Sequence, residues 1–169
     1  PIGYGRYGNE TWSATESAIS AFEGGSSLIF SSGMAAITAI LMLFKAGDKI
    51  LLSANVYGGT FRVLDKIFLN FNLEYELVDT SDLSQVQAKI DPTVRAILIE
   101  SPTNPLMQVT DIQGIAKLAQ DNNILTIVDN TFMTPYLQRP ISLGADIVIH
   151  GHRHHDQGSH RRGLSGHRH

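Results

Sequence analysis

The feature that most restricts the fold is an alternation of two hydrophobic periods along residues 1–149. Short apolar runs fit for buried strands fall at 28–31, 49–53, 75–78, 94–99, 124–129 and 146–149. Between most of them lie stretches with helical spacing or helix-start signals. Ser13 and Glu16 form a Ser-x-x-Glu capping box and predict a helix to about Glu23. Residues 33–46 read as a helix stopped by Gly47. Phe61, Leu64, Phe68 and Phe71 stand near helical spacing and predict a helix over 59–70. Asp82 is placed to cap a helix reaching Ile90, and Thr110 with Gln113 opens another that ends near Asn122. Strands alternating with helices imply an α/β fold, a largely parallel sheet with helices on both faces. No internal repeat, low-complexity tract or linker precedes residue 150.

Composition removes several alternatives. A chain of 169 residues, 43% hydrophobic and 17% charged, can bury a sizeable core and is not of the disordered class. Its net charge of −3 argues against nucleic acid as a partner. With no cysteine, disulfides and thiolate metal sites are excluded. The longest apolar stretch, around Met34 to Phe44, is too short to span a bilayer and lacks the flanks of a signal peptide. No membrane association and a cytoplasmic location are therefore expected, and the sequon-like Asn9-Glu10-Thr11 is read as chance. One boundary is sharp. All seven histidines lie from His150 onward, and beyond Gly151 the only large apolar residue is Leu164. The reading divides the chain into a domain over 1–150 and a His/Arg-rich tail over 151–169 that is expected to be disordered.

In open α/β sheets ligands bind beyond the carboxyl ends of the strands. The polar segments that follow strands are therefore the candidates: 31–33, 55–59, 100–105, 129–131 and the residues after His150. Ser32, Gly33 and Met34 lie between an apolar run and a helix rich in small residues, where free amides can cradle a phosphate. An ordinary tight turn accounts for the same residues. Asp129 closes an apolar run and can accept a charge-assisted hydrogen bond from a cationic ring nitrogen; it can equally be a turn aspartate. Tyr57, beside Gly58 and Gly59, can lay its ring on a planar ligand or simply pack. Asn104, between Pro102 and Pro105, sits in a stiff loop that presents an amide, and plain turn chemistry also explains it. Gly3, Gly5 and Gly8 fit G-x-G-x-x-G, but only two residues precede Gly3, so no strand leads into it and a nicotinamide site is rejected.

Taken together, six stretches are more specific than any one residue. YGRYGNET at 4–11, EGG at 23–25, SSGMAA at 31–36, VYGGTFR at 56–62, ESPTNP at 100–105 and VDNTF at 128–132 resemble the Cys/Met-metabolism family of pyridoxal-phosphate (PLP) enzymes. That family includes cystathionine synthases, cystathionine lyases and methionine gamma-lyase. The resemblance implies the PLP-binding large domain of a fold-type-I, aspartate-aminotransferase-like enzyme, incomplete in this chain. It implies beta- or gamma-elimination or replacement on cystathionine or a related sulfur amino acid. Gly33 and Met34 would give amides to the cofactor phosphate. Tyr57 would stack on the ring and serve as a catalytic residue in proton transfer or leaving-group departure. Asn104 would bond the ring's phenolic oxygen, and Asp129 would keep the ring nitrogen protonated. Tyr4 and Arg6 would reach the phosphate of a neighbouring subunit, which implies a homo-oligomer, dimer or tetramer.

The family's Schiff-base lysine follows the strand that ends here at His150, in a Ser-x-x-Lys stretch. Here that place reads Gly151, His152, Arg153, His154, and the lysines stand at 45, 49, 66, 89 and 117. A chain truncated before the catalytic lysine is expected, without efficient turnover; the alternative to an enzyme is a non-catalytic cofactor-binding fragment. The histidine-rich end is read as non-native or frameshifted in preference to a metal site on His152, His154, His155 and His160, so no metal is expected.

Overall fold

The computed structural model describes residues 9–151. Five strands make one parallel sheet: β1 (Lys49–Ser53), β2 (Glu74–Val78), β3 (Val94–Glu100), β4 (Leu125–Asp129) and β5 (Ile147–Ile149), in the order β2-β1-β3-β4-β5. The helices of the described residues are α1 (Glu10–Glu23), α2 (Gly33–Leu41), α3 (Gly58–Lys66), α4 (Leu83–Lys89), α5 (Ile112–Asp121) and α6 (Thr134–Leu137). Single 3-10 turns lie at Phe68–Phe71 and Pro140–Leu143.

Both faces of the sheet are covered, which is why the inner strands are mostly apolar, whereas the edge strand β2 carries Glu74 and Glu76. Alternate residues go to opposite layers. Ile50, Leu52, Ala96, Leu98 and Ile127 pack with Ile37 and Leu41 of α2 and Val63 and Leu64 of α3. Leu51, Ile97, Ile99 and Val128 pack with Val86 of α4 and with Ile112, Ile115 and Ala119 of α5. Val94 joins this second layer although it stands two residues from Ala96. The pairing explains it: Lys49 faces Val94 and Ile50 faces Ala96, so Arg95 is an extra residue and the bulge switches the face.

The structure corrects several sequence expectations. Residues 28–31 form no strand; Leu28 is 78% exposed, and the Ile29 amide is taken by the Glu16 side chain at 3.0 Å. An apolar run becomes a strand only where a neighbouring backbone takes up its polar groups. Glu16, thus engaged, is not half of a capping box, and Ser13 is not a cap. α1 starts a turn earlier, with Asn9 accepting the Trp12 amide at 2.8 Å. α2 stops at Leu41, short of Ala46, because bonds from Leu43 to Ile40 and Phe44 to Leu41 tighten the chain and Asp48 captures the Lys45 amide at 2.8 Å. α3 likewise ends at Lys66 and passes into a 3-10 turn. Asp111, not Thr110, caps α5; Thr110 is buried and its amide goes to Ser101. Asp82 caps α4 as the sequence predicts, accepting from Ser84 and Gln85.

At the amino end of the sheet Lys49 Nζ lies 2.7 Å from Asp91 Oδ2 and 3.9 Å from Glu76 Oε2. Hydrogen bonds from Lys49 and Thr93 hold the Asp91 carboxyl well below the usual carboxylate range. The bond to Asp91 in turn raises Lys49. A lowered carboxyl pKa contributes stability that is present above the unfolded value and is lost as pH falls toward the folded one. Denaturant midpoints should therefore drop on acidification below roughly pH 4, and drop less in Asp91→Asn. The Lys49 contribution has the opposite sense, persisting until pH rises above the ordinary lysine range. Parallel acid limbs for the two proteins would refute this assignment.

Candidate functional site

In the order β2-β1-β3-β4-β5 the chain leaves β1 toward one edge and returns on the other side, so the switch point lies between β1 and β3. Loops leaving adjacent strands in opposite directions open a crevice there. A cavity of about 400 Å³ lies at these carboxyl ends, lined by Ser32, Gly33, Met34, Tyr57, Asn104 and Asp129 together with Glu100 and Thr131. They come from several different exits. α2 supplies Gly33 and Met34, the β1 exit Tyr57, the β3 exit Glu100 and Asn104, and the β4 exit Asp129 and Thr131. Ile37, Ile149 and Gly151 complete the lining.

At the α2 end, the Ser32 side chain accepts the Ala35 amide at 3.1 Å and its carbonyl accepts the Ala36 amide at 3.1 Å. The cap leaves the amides of Gly33 and Met34 facing out of the first turn. Ala in place of Gly33 would put its Cβ 3.7 Å from the Gly151 Cα, an ordinary contact, so the protein itself leaves room there.

Tyr57 is held twice. Its amide donates to Glu100 Oε2 at 2.5 Å, joining the β1 and β3 exits across the switch point. Its ring lies over Gly59, where an added Cβ would collide with Tyr57 Cε1 and stand 2.8 Å from Met34 Sδ. Glycine at 59 is thus what lets the ring lie against the start of α3 beside Met34. Half of Tyr57 remains exposed.

On the other wall, Asp129 Oδ1 accepts the Thr131 amide at 3.0 Å, which leaves Oδ2 for a donor in the cavity. Thr131 Oγ1 accepts the Gly151 amide at 2.7 Å and so fixes the start of the segment that follows β5. Glu100 and Asp129 are register partners on neighbouring strands. The cavity therefore sets two carboxylates on its floor against a helix amino end, a polarity suited to a ligand with an anionic group at one end and a cationic nitrogen at the other.

A model of the family described as Cys/Met metabolism PLP-dependent enzyme matches residues 2–166. The chain belongs to this family. Cystathionine beta-lyase of Lactococcus lactis subsp. cremoris is 51% identical over 148 residues, covering 87% of this chain and 39% of the relative. Cystathionine gamma-lyase of Bacillus subtilis (strain 168) is 49% identical over 148 residues, again 87% of this chain and 39% of the relative. Among solved structures, cystathionine gamma-lyase from Lactobacillus plantarum complexed with L-serine superposes with a TM-score of 0.85 at 49% identity, covering 89% of this chain and 41% of that one. The chain spans about two fifths of the length of these Cys/Met-metabolism relatives.

Of the residues singled out in the sequence, Gly33, Met34, Tyr57, Asn104 and Asp129 meet at the one cavity. Tyr4 and Arg6 lie outside the described residues, as do the histidines from His152 onward. Among the described residues no group of His, Asp and Glu side chains is placed to hold a metal ion, and no helix is long and apolar enough to cross a membrane. Sequence reasoning marks Glu100 and Thr131 only as ends of strand-exit segments. The usable signal for Glu100 is a charged residue directly after the apolar run 96–99; it is buried, at 5% exposure. Nothing local marks Gly59 as the floor under Tyr57.

Proposed function

We propose that the chain is the cofactor-binding part of a PLP-dependent lyase or transferase of sulfur amino-acid metabolism. Its substrate class is cystathionine or a related sulfur amino acid, handled by beta- or gamma-elimination or replacement. The observation that carries this reading is the convergence of Gly33, Met34, Tyr57, Asn104 and Asp129 on one cavity at the switch point of the sheet. The lining suits a flat, phosphorylated pyridine. The α2 amides of Gly33 and Met34 would hold the phosphate, with the dipole of the helix behind them. Tyr57, resting on Gly59, would cover one face of the ring. Asn104 would donate its amide to the ring oxygen, and Asp129 Oδ2 would accept from the ring nitrogen and keep it protonated. When bound, PLP supplies an electron sink for the carbanion next to the substrate carboxylate. Tyr57 is the residue of this chain that would move a proton at the reacting centre. Complete members would be cytoplasmic homo-oligomers in which Tyr4 and Arg6 serve a neighbouring subunit's phosphate.

The positions of the lysines favour a second reading, reversible cofactor binding without turnover. All five lysines fall within the described residues, and none lines the cavity. Lys49 is at the far end of β1, and Lys66, in the neighbouring groove with Met34 and Tyr57, is paired with Asp65 at 2.6 Å. An amine held in reach of the cofactor aldehyde is worth roughly 7–11 kcal/mol of barrier, which a lysine elsewhere does not recover. The 169-residue chain should therefore bind PLP reversibly, show only scattered lysine labelling after borohydride reduction, and release no product from cystathionine. A single stoichiometric label with turnover would restore the first reading in full. Absence of any PLP binding would overturn both.

A further inference from the structure

We propose that Gln108 is a positioning residue that fixes the Asn104 loop and the Tyr57 loop relative to one another across the cavity. Gln108 does not line the cavity, so it acts only through its neighbours. Its backbone closes the β3 exit loop: the Thr103 amide donates to its carbonyl at 3.0 Å, and its amide donates to Thr103 Oγ1 at 3.1 Å. Asn104 lies inside that closure. Its side chain then reaches the other two exits. Nε2 donates to Asp79 Oδ1 at 2.9 Å and Ser81 Oγ at 2.6 Å beyond β2, while Oε1 accepts from Asn55 Nδ2 at 2.9 Å beyond β1.

The orientation of the amide follows from its partners. The Asp79 carboxylate only accepts, so the NH2 group must face it, and the oxygen is left for the NH2 of Asn55. One side chain thus spends both donors and its acceptor on two strand exits while its backbone holds a third. Asn55 stands two residues before Tyr57, whose own amide is fixed by Glu100. Moving Gln108 therefore frees the Tyr57 loop from its side-chain tie through Asn55 and the Asn104 loop from its anchor. Leucine at this position can make none of these side-chain bonds. Lysine keeps a donor for Asp79 and Ser81 but cannot accept from Asn55, so it separates the β2 tie from the β1 tie.

The test is hydrogen exchange on the full chain, paired with PLP titration. Gln108→Leu and Gln108→Lys should each speed exchange over 54–60 by roughly five- to tenfold, the loss of about one hydrogen bond, with α5 unchanged. Adding Asn55→Asp to Gln108→Lys supplies an acceptor for the ammonium and should restore protection over 54–60. The dissociation constant for PLP should follow the same order, weakened in the single variants and recovered in the double. Faster exchange confined to 101–108, uniform loosening of the sheet, or no rescue by Asn55→Asp would each overturn the proposal. Its effect on the cofactor rests on the reading of the cavity as a PLP site. A wild-type chain that binds no PLP sinks that reading, whereas the exchange pattern decides the clamp by itself.

Discussion

Asp129→Asn should weaken PLP binding by about 10- to 100-fold, the worth of a hydrogen bond to a charged group. The substitution is nearly isosteric. The new side-chain amide would still offer an oxygen to the Thr131 amide, which Asp129 Oδ1 now accepts at 3.0 Å, so the turn after β4 should keep its shape. What would be lost is the negative charge that the proposed site sets against the ring nitrogen. With its oxygen kept on the Thr131 amide, the asparagine would turn its NH2 group toward the cavity, and that group only donates, so it disfavours a protonated ring nitrogen and both affinity and ring protonation should fall. The proposed phosphate cradle at Gly33 and Met34 would stay intact, so residual binding should remain and should resemble that of a phosphate-bearing analogue without a basic ring nitrogen. The check is a spectrophotometric titration of both proteins, with circular dichroism to show that the fold is unchanged. Affinities within twofold of each other would mean that Asp129 does not face the ring nitrogen.

The second large effect is on stability. Leu98→Ala should cost about 2–5 kcal/mol, the range for deleting a buried leucine side chain that leaves a cavity. Leu98 sits on β3, the middle strand of the five, and is 1% exposed. It packs in the layer that includes Ile37 and Leu41 of α2, the helix whose amino end faces the cavity. A loss of that size is a large part of the stability of a typical domain. Thr126→Val makes a useful contrast in the neighbouring strand. Thr126 is fully buried and its hydroxyl has no partner among the described residues. Removing an unsatisfied hydroxyl while keeping the volume should be neutral or stabilising by about 1 kcal/mol. Urea unfolding of the three proteins measures both. A cost for Leu98→Ala under about 1 kcal/mol would mean that the layer is not packed as described.

Much of this molecule was written in local sequence. The apolar runs at 49–53 and 94–99 became β1 and β3, and Asp82 became the cap of α4, because strand burial on both faces and amide capping act over a few residues. Gly33, Met34, Tyr57, Asn104 and Asp129 could be marked because each follows or lies near an apolar run, and the parallel order of such sheets sends strand ends to one side. Tertiary structure decided the rest. Whether an apolar run is a strand depends on a partner backbone: 28–31 found the Glu16 side chain instead. Where α1, α2 and α5 begin or end depended on which competing side chain reached the free amides first, Asn9, Asp48 and Asp111. Gly59 and Gln108 have no local signature for what they do, and the charge closing the β3 run marks Glu100 without naming its partner, because these partners stand dozens of residues away or are the ring of a neighbour. Hydrophobic period and cap chemistry are short-range and can be read along the chain. Ladder pairing, ring placement and the satisfaction of buried polar groups are settled only when distant segments meet.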